Sequence, residues 1–289
     1  MSDARIVDRG YRRYEGERGG TAVAIRSLVR HSVQRALGLR RTPWSKVLPV
    51  LSVAIAYLPA IAFVGMAAFL PTQLVAEGIL PDYGEYYGFI TSAIVVFTAF
   101  VAPELLCTDR RTRMLGIYLA SPLDRTTYLA AKAIAVGLVL SLVTLGPPLL
   151  MLIAFTFEGA GPGGVVDWLV LFGRIVLSGV VIAAIHAALS LAAASLTDRK
   201  AVASAGVILV LLLSSAVTGA LVDGAGAPVE LELFNLLGIP FELVSRIYPD
   251  TPDVRPELST GLLAAANLGW TLLFTAVLVI RYRRLEVTR

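Results

Sequence analysis

The sequence is short of charge, cysteine and histidine. Of its 289 residues only 16% are Asp, Glu, Lys or Arg while 56% are hydrophobic, and the mean hydropathy is +0.75. Soluble domains carry roughly 25% charged residues, so this balance excludes an ordinary water-soluble fold. It excludes intrinsic disorder as well, because disordered chains are poor in apolar residues. The single cysteine, Cys107, permits neither an intrachain disulfide nor a multi-cysteine metal site. Two histidines, His31 and His186, leave little with which to hold zinc or haem. No Gly-Lys dipeptide occurs, so the phosphate-cradling loop of P-loop ATPases is missing. His-Glu-x-x-His and Gly-x-Ser-x-Gly are missing too, and with them the usual signatures of membrane hydrolases. No catalytic, cofactor-binding or metal-ligating residue is nominated, and the composition is that of a membrane protein.

What the chain has instead is six runs without a charge: residues 47–76, 86–103, 133–157, 175–197, 201–222 and 258–280, of 30, 18, 25, 23, 22 and 23 residues. A hydrocarbon core of about 30 Å is crossed by roughly 20 helical residues, and helices satisfy their own backbone hydrogen bonds there. The expected fold is all-α and polytopic. Its transmembrane domain covers residues 47–282, with spans at about 47–70, 86–107, 129–156, 168–197, 201–222 and 258–280. Pro59 and Pro147-Pro148 are expected to kink spans 1 and 3.

An even number of spans places both termini on one side. Residues 1–46, 108–132, 199–200 and 281–289 hold 22 of the 25 Lys and Arg. The opposite connections hold twelve acids, from Glu77 to Glu257, against Arg246 and Arg255. The positive-inside rule then puts both termini in the cytoplasm of a multi-pass plasma-membrane protein. The first apolar run begins only after 46 residues, which predicts an uncleaved signal-anchor rather than a cleavable leader. Only three of the basic residues are Lys, a bias that fits a GC-rich bacterial genome.

Outside the spans, residues 1–20 read as a solvated basic tail drawn to anionic headgroups, with docking on a partner protein as the alternative. Residues 21–46 read as an amphipathic interfacial helix. Ile25, Leu28, Val29, Ser32, Val33, Ala36 and Leu37 recur at three- and four-residue spacing, with Arg26, Arg30 and Arg35 largely on the other side, snorkelling to headgroups. Pro43 and Trp44 mark a bend and an interfacial anchor before span 1. Residues 283–289 form a second cytoplasmic tail. Between spans 2 and 3, Met114, Leu115, Tyr118 and Leu119 outline one face of a short helix that Pro122 ends, with Asp124 as cap of the next helix. Such a helix suits either a headgroup-level ornament or a socket for a cytosolic partner. The long outer loop, 223–257, has an apolar middle broken at Gly238-Ile239-Pro240 and is expected to dip into the outer leaflet or cap the bundle.

Polar groups inside the spans are few. Arg174 and His186 in span 4 and Asn267 in span 6 are candidates to line a cavity; snorkelling for Arg174, and helix-to-helix hydrogen bonding for the other two, are the structural alternatives. Ion-coupled carriers and channels usually need acidic or polar groups at the midplane. A transporter without them needs an outside energy source and suits an amphipathic or apolar cargo.

From Glu104 to Lys132 the sequence resembles the permease subunits of ABC-2-type exporters. These tend to show a Glu at the end of span 2, a basic stretch, a helix reading Leu-Tyr-Leu-Ala-x-Pro-Leu-x-Arg, and a Lys at span 3. Here stand Glu104, Asp109-Arg110-Arg111, Tyr118-Leu119-Ala120-Ser121-Pro122-Leu123, Arg125, Tyr128 and Lys132. The chain departs from the pattern with Arg113, where the family commonly has Gly before the helix. The motif is confined to these thirty or so positions, but the layout of the whole chain agrees. The resemblance implies a coupling helix within residues 108–128, seated in a groove of a separate ATPase, with Glu104, Asp109, Arg110, Arg111, Arg113, Tyr118, Leu119, Pro122 and Arg125 as coupling residues. It implies an elbow role for the N-terminal helix, with Glu104 paired to a basic residue near it. It also implies two ATPase subunits carrying ATP and Mg, a second permease subunit, identical or homologous, and outward transport through the bilayer. No nucleic acid is expected among the partners. A membrane scaffold or mechanotransmitter coupled to an ATPase, moving no solute, is the competing reading, and an intramembrane enzyme the remote one.

Overall fold

The structure, a computed structural model, describes residues 19–39, 46–69, 80–120 and 122–285. Most of the basic tail, Pro43, Trp44, Ser121 and the last four residues lie outside the described residues. The elements are α1 (Thr21–Ala36), α2 (Val47–Phe69), α3 (Tyr83–Arg111), α4 (Met114–Leu119), α5 (Arg125–Thr144), α6 (Gly146–Glu158), α7 (Val165–Leu196), α8 (Lys200–Gly219), a 3₁₀ turn (Val229–Phe234), α9 (Gly238–Ser245) and α10 (Thr260–Arg284). Among the described residues there is no strand. Six helices, α2, α3, α5, α7, α8 with its extension to Gly224, and α10, are long and apolar enough to cross a membrane. They correspond to the six charge-free runs. The bundle has a basic end, where α1, α4, the α7–α8 turn and the end of α10 gather, and an acidic end that holds the long loop.

Packing is centred on α7. Its small residues Ala183, Ala187, Ala192, Ala194 and Ser195 are buried and bring it against α3, α5, α8 and α10. Without a hydrophobic drive between helices in lipid, small faces of this kind permit the close approach that dispersion needs. Ser190 reinforces the α7–α3 contact by donating to the Thr98 carbonyl at 2.5 Å. By contrast α2, α8 and α10 leave most of their apolar surface outward.

Three expectations are corrected. The third crossing is not one kinked helix over 129–156 but two helices, α5 and α6, separated by Leu145 alone. Pro147 and Pro148 lack N–H groups, so the carbonyls four residues earlier lose their intrahelical donors and the helix restarts with the prolines in its first turn. The break is sealed by side chains: the Tyr57 hydroxyl donates to the Leu142 carbonyl at 3.1 Å and the Thr144 hydroxyl to the Gly179 carbonyl at 3.1 Å. Pro59, in contrast, sits inside an unbroken α2.

Second, α1 stops at Ala36 rather than running to 46. Gly38 adopts a left-handed φ of 67°, and the Leu39 N–H reaches back to the Gln34 carbonyl at 2.8 Å, which closes the helix. Third, α1 does not spread its whole apolar face on lipid. Leu28, Ser32 and Ala36 are buried against α5 and α3, and Arg35 turns inward with them. The acidic loop does cap the bundle: α9 packs on α10, α7 and α3, and Trp270 donates to the Leu233 carbonyl at 2.8 Å.

At Gly179 a Cβ would fall on the Leu145 side chain and 3.3 Å from the Thr144 carbonyl, where α7 passes the α5–α6 break. Gly173, two turns away, faces open space. Gly179→Val is therefore expected to cost about 1–3 kcal/mol by overpacking, whereas Gly173→Val leaves the thermal midpoint in detergent within a degree or two of wild type. Equal midpoints for the two variants would show that the break does not need this close approach.

Candidate functional site

The basic end is organised around one carboxylate. Asp109, on the last turn of α3, is 0% exposed. Its two oxygens receive Arg35 Nη1 at 2.6 Å, Lys132 Nζ at 2.7 Å and the Tyr128 hydroxyl at 3.0 Å. Lys132 is equally buried and donates also to Ser32 Oγ at 3.0 Å. Its ammonium lies 5.6 Å and 5.5 Å from the ring centroids of Tyr118 and Tyr128, a cation–π arrangement. Glu104, one turn or so earlier on α3, meets Arg35 Nε at 3.8 Å and Lys200 Nζ at 2.5 Å. Three cations and two carboxylates thus draw α1, α3, α5 and α8 to one point. In a low-dielectric surround, such charges persist only when each is paired.

Arg110 and Arg125 also turn into the chain. Arg110 Nη1 donates to the carbonyls of Ser195 (2.8 Å) and Thr197 (3.1 Å), and Arg125 Nη1 to those of Tyr282 (3.2 Å) and Arg283 (2.7 Å). Both guanidinium groups sit on helix C-termini, where four carbonyls lack partners and the macrodipole is negative. Two of the basic residues expected to face a partner thus close the ends of α7 and α10.

The 108–128 connection is three pieces: α3 continues to Arg111, the short helix α4 has six residues and carries Met114, Leu115, Tyr118 and Leu119, and α5 starts at Arg125. Arg113 separates the first two with φ 55°, the one positive φ outside glycine among the described residues. The departure from the family's Gly therefore falls at the residue whose backbone most favours glycine. Pro122 lies beyond α4, and Asp124 caps α5 by accepting from the Thr127 N–H at 2.7 Å, which holds its carboxyl down at about 2. On α4, Tyr118 and Leu119 are half-buried. Tyr118 packs over Tyr128, centroids 5.8 Å apart, and Tyr128 over Tyr282 at 6.0 Å; burial, then the charge of Asp109, pushes the Tyr118 hydroxyl upward. Exposed to solvent are Arg111, Arg113 and Ile117, the last at 64%.

Ile117, Ser32 and Arg35 had no place among the site residues read from sequence. Ser32 and Arg35 stand at i, i+3 with Leu28 and Ala36 nearby on the same side of α1, so their spacing was the available signal. Ile117 carried none, because its exposure depends on how α4 leans on Tyr128.

The three intramembrane polar residues are not brought together. Arg174 is half-buried and lines a cavity at the acidic end. His186 is buried, and its Nδ1 lies 2.8 Å from the Ile182 carbonyl of its own helix rather than a neighbouring one, with the ring edge toward Phe241. Asn267 is buried on α10, where its backbone carbonyl accepts from Thr271. No group of three His, Cys, Asp or Glu able to hold a metal occurs among the described residues.

A family profile described as ABC-2 family transporter protein matches residues 63–280. The match covers most of the chain and all of the basic cluster except its α1 residues, Ser32 and Arg35. The chain belongs to the ABC-2 transporter family and is a permease subunit, the transmembrane part of an ABC transporter. Comparison with curated proteins finds no match.

Leaving Arg35 and Lys132 without their shared anion makes Asp109→Asn expensive, about 3–5 kcal/mol by the usual cost of breaking a buried pair. A sharp drop in the thermal midpoint of the purified protein checks this; a drop no larger than that of an exposed Asp167→Asn control contradicts it. Arg113→Gly is expected to raise stability by about 1 kcal/mol and Arg113→Val to lower it, since only glycine takes the left-handed conformation freely. The order of the two midpoints around wild type is the readout.

Proposed function

We propose that this permease subunit is energised by a separate ATP-hydrolysing subunit docked on α4, with the basic end in the cytoplasm. The carrying observation is the pairing of an exposed docking surface with a rigid buried base. Ile117, Arg111 and Arg113 stand in solvent, while Tyr118 on the same six-residue helix packs into the Asp109–Lys132–Tyr128 cluster. A push on α4 is then received by four helices at once. The concentration of Lys and Arg at this end supports its cytoplasmic placement in a bacterial plasma membrane, and the Arg35–Glu104 contact supports an elbow role for α1.

The full assembly in this reading has two permease chains and two ATPases, with ATP and Mg held by the ATPases. Nucleotide binding biases a two-state bundle, and cargo moves outward as the bundle switches. Arg111, Arg113 and Ile117 make the contact. Glu104, Asp109, Tyr118 and Lys132 pass it on, and Arg110 and Arg125 keep the ends of α7 and α10 in register with it.

The test is affinity purification of the tagged full chain from host membranes in mild detergent, beside Arg111→Glu combined with Ile117→Asp. Wild type is expected to retain an ATPase subunit, and the double variant to lose at least ten-fold of it while keeping the wild-type thermal midpoint. A well-folded wild type that brings down no ATPase would overturn the coupling and favour a membrane protein that works without one.

A further inference from the structure

Three basic residues lie toward the acidic end, and two of them are fully engaged. Arg255 holds Asp223 through two bonds of 2.7 Å and Glu232 at 2.9 Å; Arg246 holds Glu242 at 3.0 Å and Asp253 at 2.5 Å. These clamps fold the loop, and they satisfy most of the acids around the larger cavity, about 710 Å³, at that end. Arg174 differs. Among the described residues no carboxylate lies within ion-pair distance of it and no hydrogen-bond partner is found, although it stands nine residues into a membrane-spanning helix. A cation at that depth needs a counter-charge or a route to water.

The space before Arg174 is a cavity of about 590 Å³ between α3, α6, α7 and the long loop. One wall is aromatic: the Tyr83 and Tyr248 rings stack at 6.4 Å, and Tyr83 meets Phe155 edge-on at 6.4 Å. Burial keeps Tyr248 neutral, pushing its hydroxyl up to about 12, so no phenolate balances the guanidinium. Of the acids that line the cavity, Asp82 is already bound, accepting from the Glu85 N–H and the Thr251 hydroxyl, each at 2.6 Å. Asp167 and Asp250 are exposed at the rim. Asp167 precedes Arg174 by seven residues, which puts it on the same helix face about 10 Å nearer the end. From the rim inward the site therefore presents carboxylates, then a cation without an ion-pair partner among the described residues, beside an apolar aromatic wall.

We infer that this cavity binds a lipid-like amphipath whose phosphate or carboxylate rests on Arg174, whose apolar part lies along Tyr83, Tyr248 and Phe155, and whose outer end carries an amine facing Asp167 and Asp250. That sequence of charges, with an apolar wall beside it, matches a zwitterionic phospholipid headgroup and the apolar part next to it. The same chemistry is offered by a bilayer phospholipid and by a transported cargo of like headgroup; the second identity rests on the permease reading above.

The purified full chain in detergent is titrated with dihexanoyl phosphatidylethanolamine, dihexanoyl phosphatidic acid, dihexanoylglycerol and inorganic phosphate, with the shift of the thermal midpoint as readout. Phosphatidylethanolamine is expected to shift wild type. Arg174→Gln should weaken that affinity at least ten-fold, and Arg174→Lys far less. Asp167→Asn should weaken phosphatidylethanolamine but not phosphatidic acid, which lacks the amine. An equal response of Arg174→Gln and wild type, or an equal response to dihexanoylglycerol, overturns the site, and a matching response to inorganic phosphate overturns its amphipath character. Should Arg174→Gln fail to fold, the Asp167→Asn contrast still decides. Binding is read without an ATPase, so failure of the coupling reading leaves this result standing. In the assembled complex, stimulation of ATP hydrolysis that depends on Arg174 marks the ligand as cargo, and binding without stimulation marks it as a resident lipid.

Discussion

Burial of the Asp109 carboxylate among Arg35, Lys132 and Tyr128 is the interaction on which the basic end depends. Each charge there would be costly alone, so the arrangement is close to all-or-none. Such pairs often contribute little net stability against an apolar replacement, yet they punish any geometry that separates the partners. What the cluster supplies is therefore uniqueness of position: α1 has one place to sit on α3 and α5, and α8 joins through Lys200 and Glu104. Tyr118 connects α4 to this fixed point through its stack on Tyr128 and a cation–π contact with the Lys132 ammonium.

Arginines fix both ends of the bundle through backbone carbonyls and carboxylates alike. At the basic end, Arg110 closes the C-terminus of α7 and Arg125 that of α10 by binding carbonyls, while Arg35 binds carboxylates. At the acidic end, Arg255 and Arg246 bind carboxylates, Arg246 also the Arg255 and Leu258 carbonyls, and together they fold a loop that has too little regular structure to hold itself. Glu242 joins the two modes, taking the Arg246 guanidinium together with the backbone N–H groups of Val254 and Arg255. Arg174 stands apart from both patterns.

Span number, the basic and acidic ends and the Asp124 cap were legible in the sequence because they follow from local patterns: charge-free length, charge distribution, and a capping residue before an apolar run. The proline pair announced a disturbance, but its form, two helices sealed by Tyr57 and Thr144, depends on partners 85 and 35 residues away. Arg35 was read as a headgroup-facing residue because periodicity locates a face without saying what covers it. Arg110 and Arg125 looked like docking charges for the same reason, since a sequence does not reveal which helix ends come within their reach. Arg113 is the instructive exception: one departure from an expected glycine pointed straight at the left-handed residue.

The lengths of the helices carry a last consequence. The most buried helices, α3 and α7, are also the longest, with 29 and 32 residues, or about 44 and 48 Å, well beyond the hydrocarbon thickness. The helices that expose most of their surface, α2, α8 with its extension and α10, have 23, 25 and 25 residues, about 35 to 38 Å, a length that a modest tilt accommodates. The outward-facing members are therefore the ones whose lengths suit a bilayer. The two overlong helices are shielded by their neighbours, so the excess length sits where protein rather than lipid surrounds it.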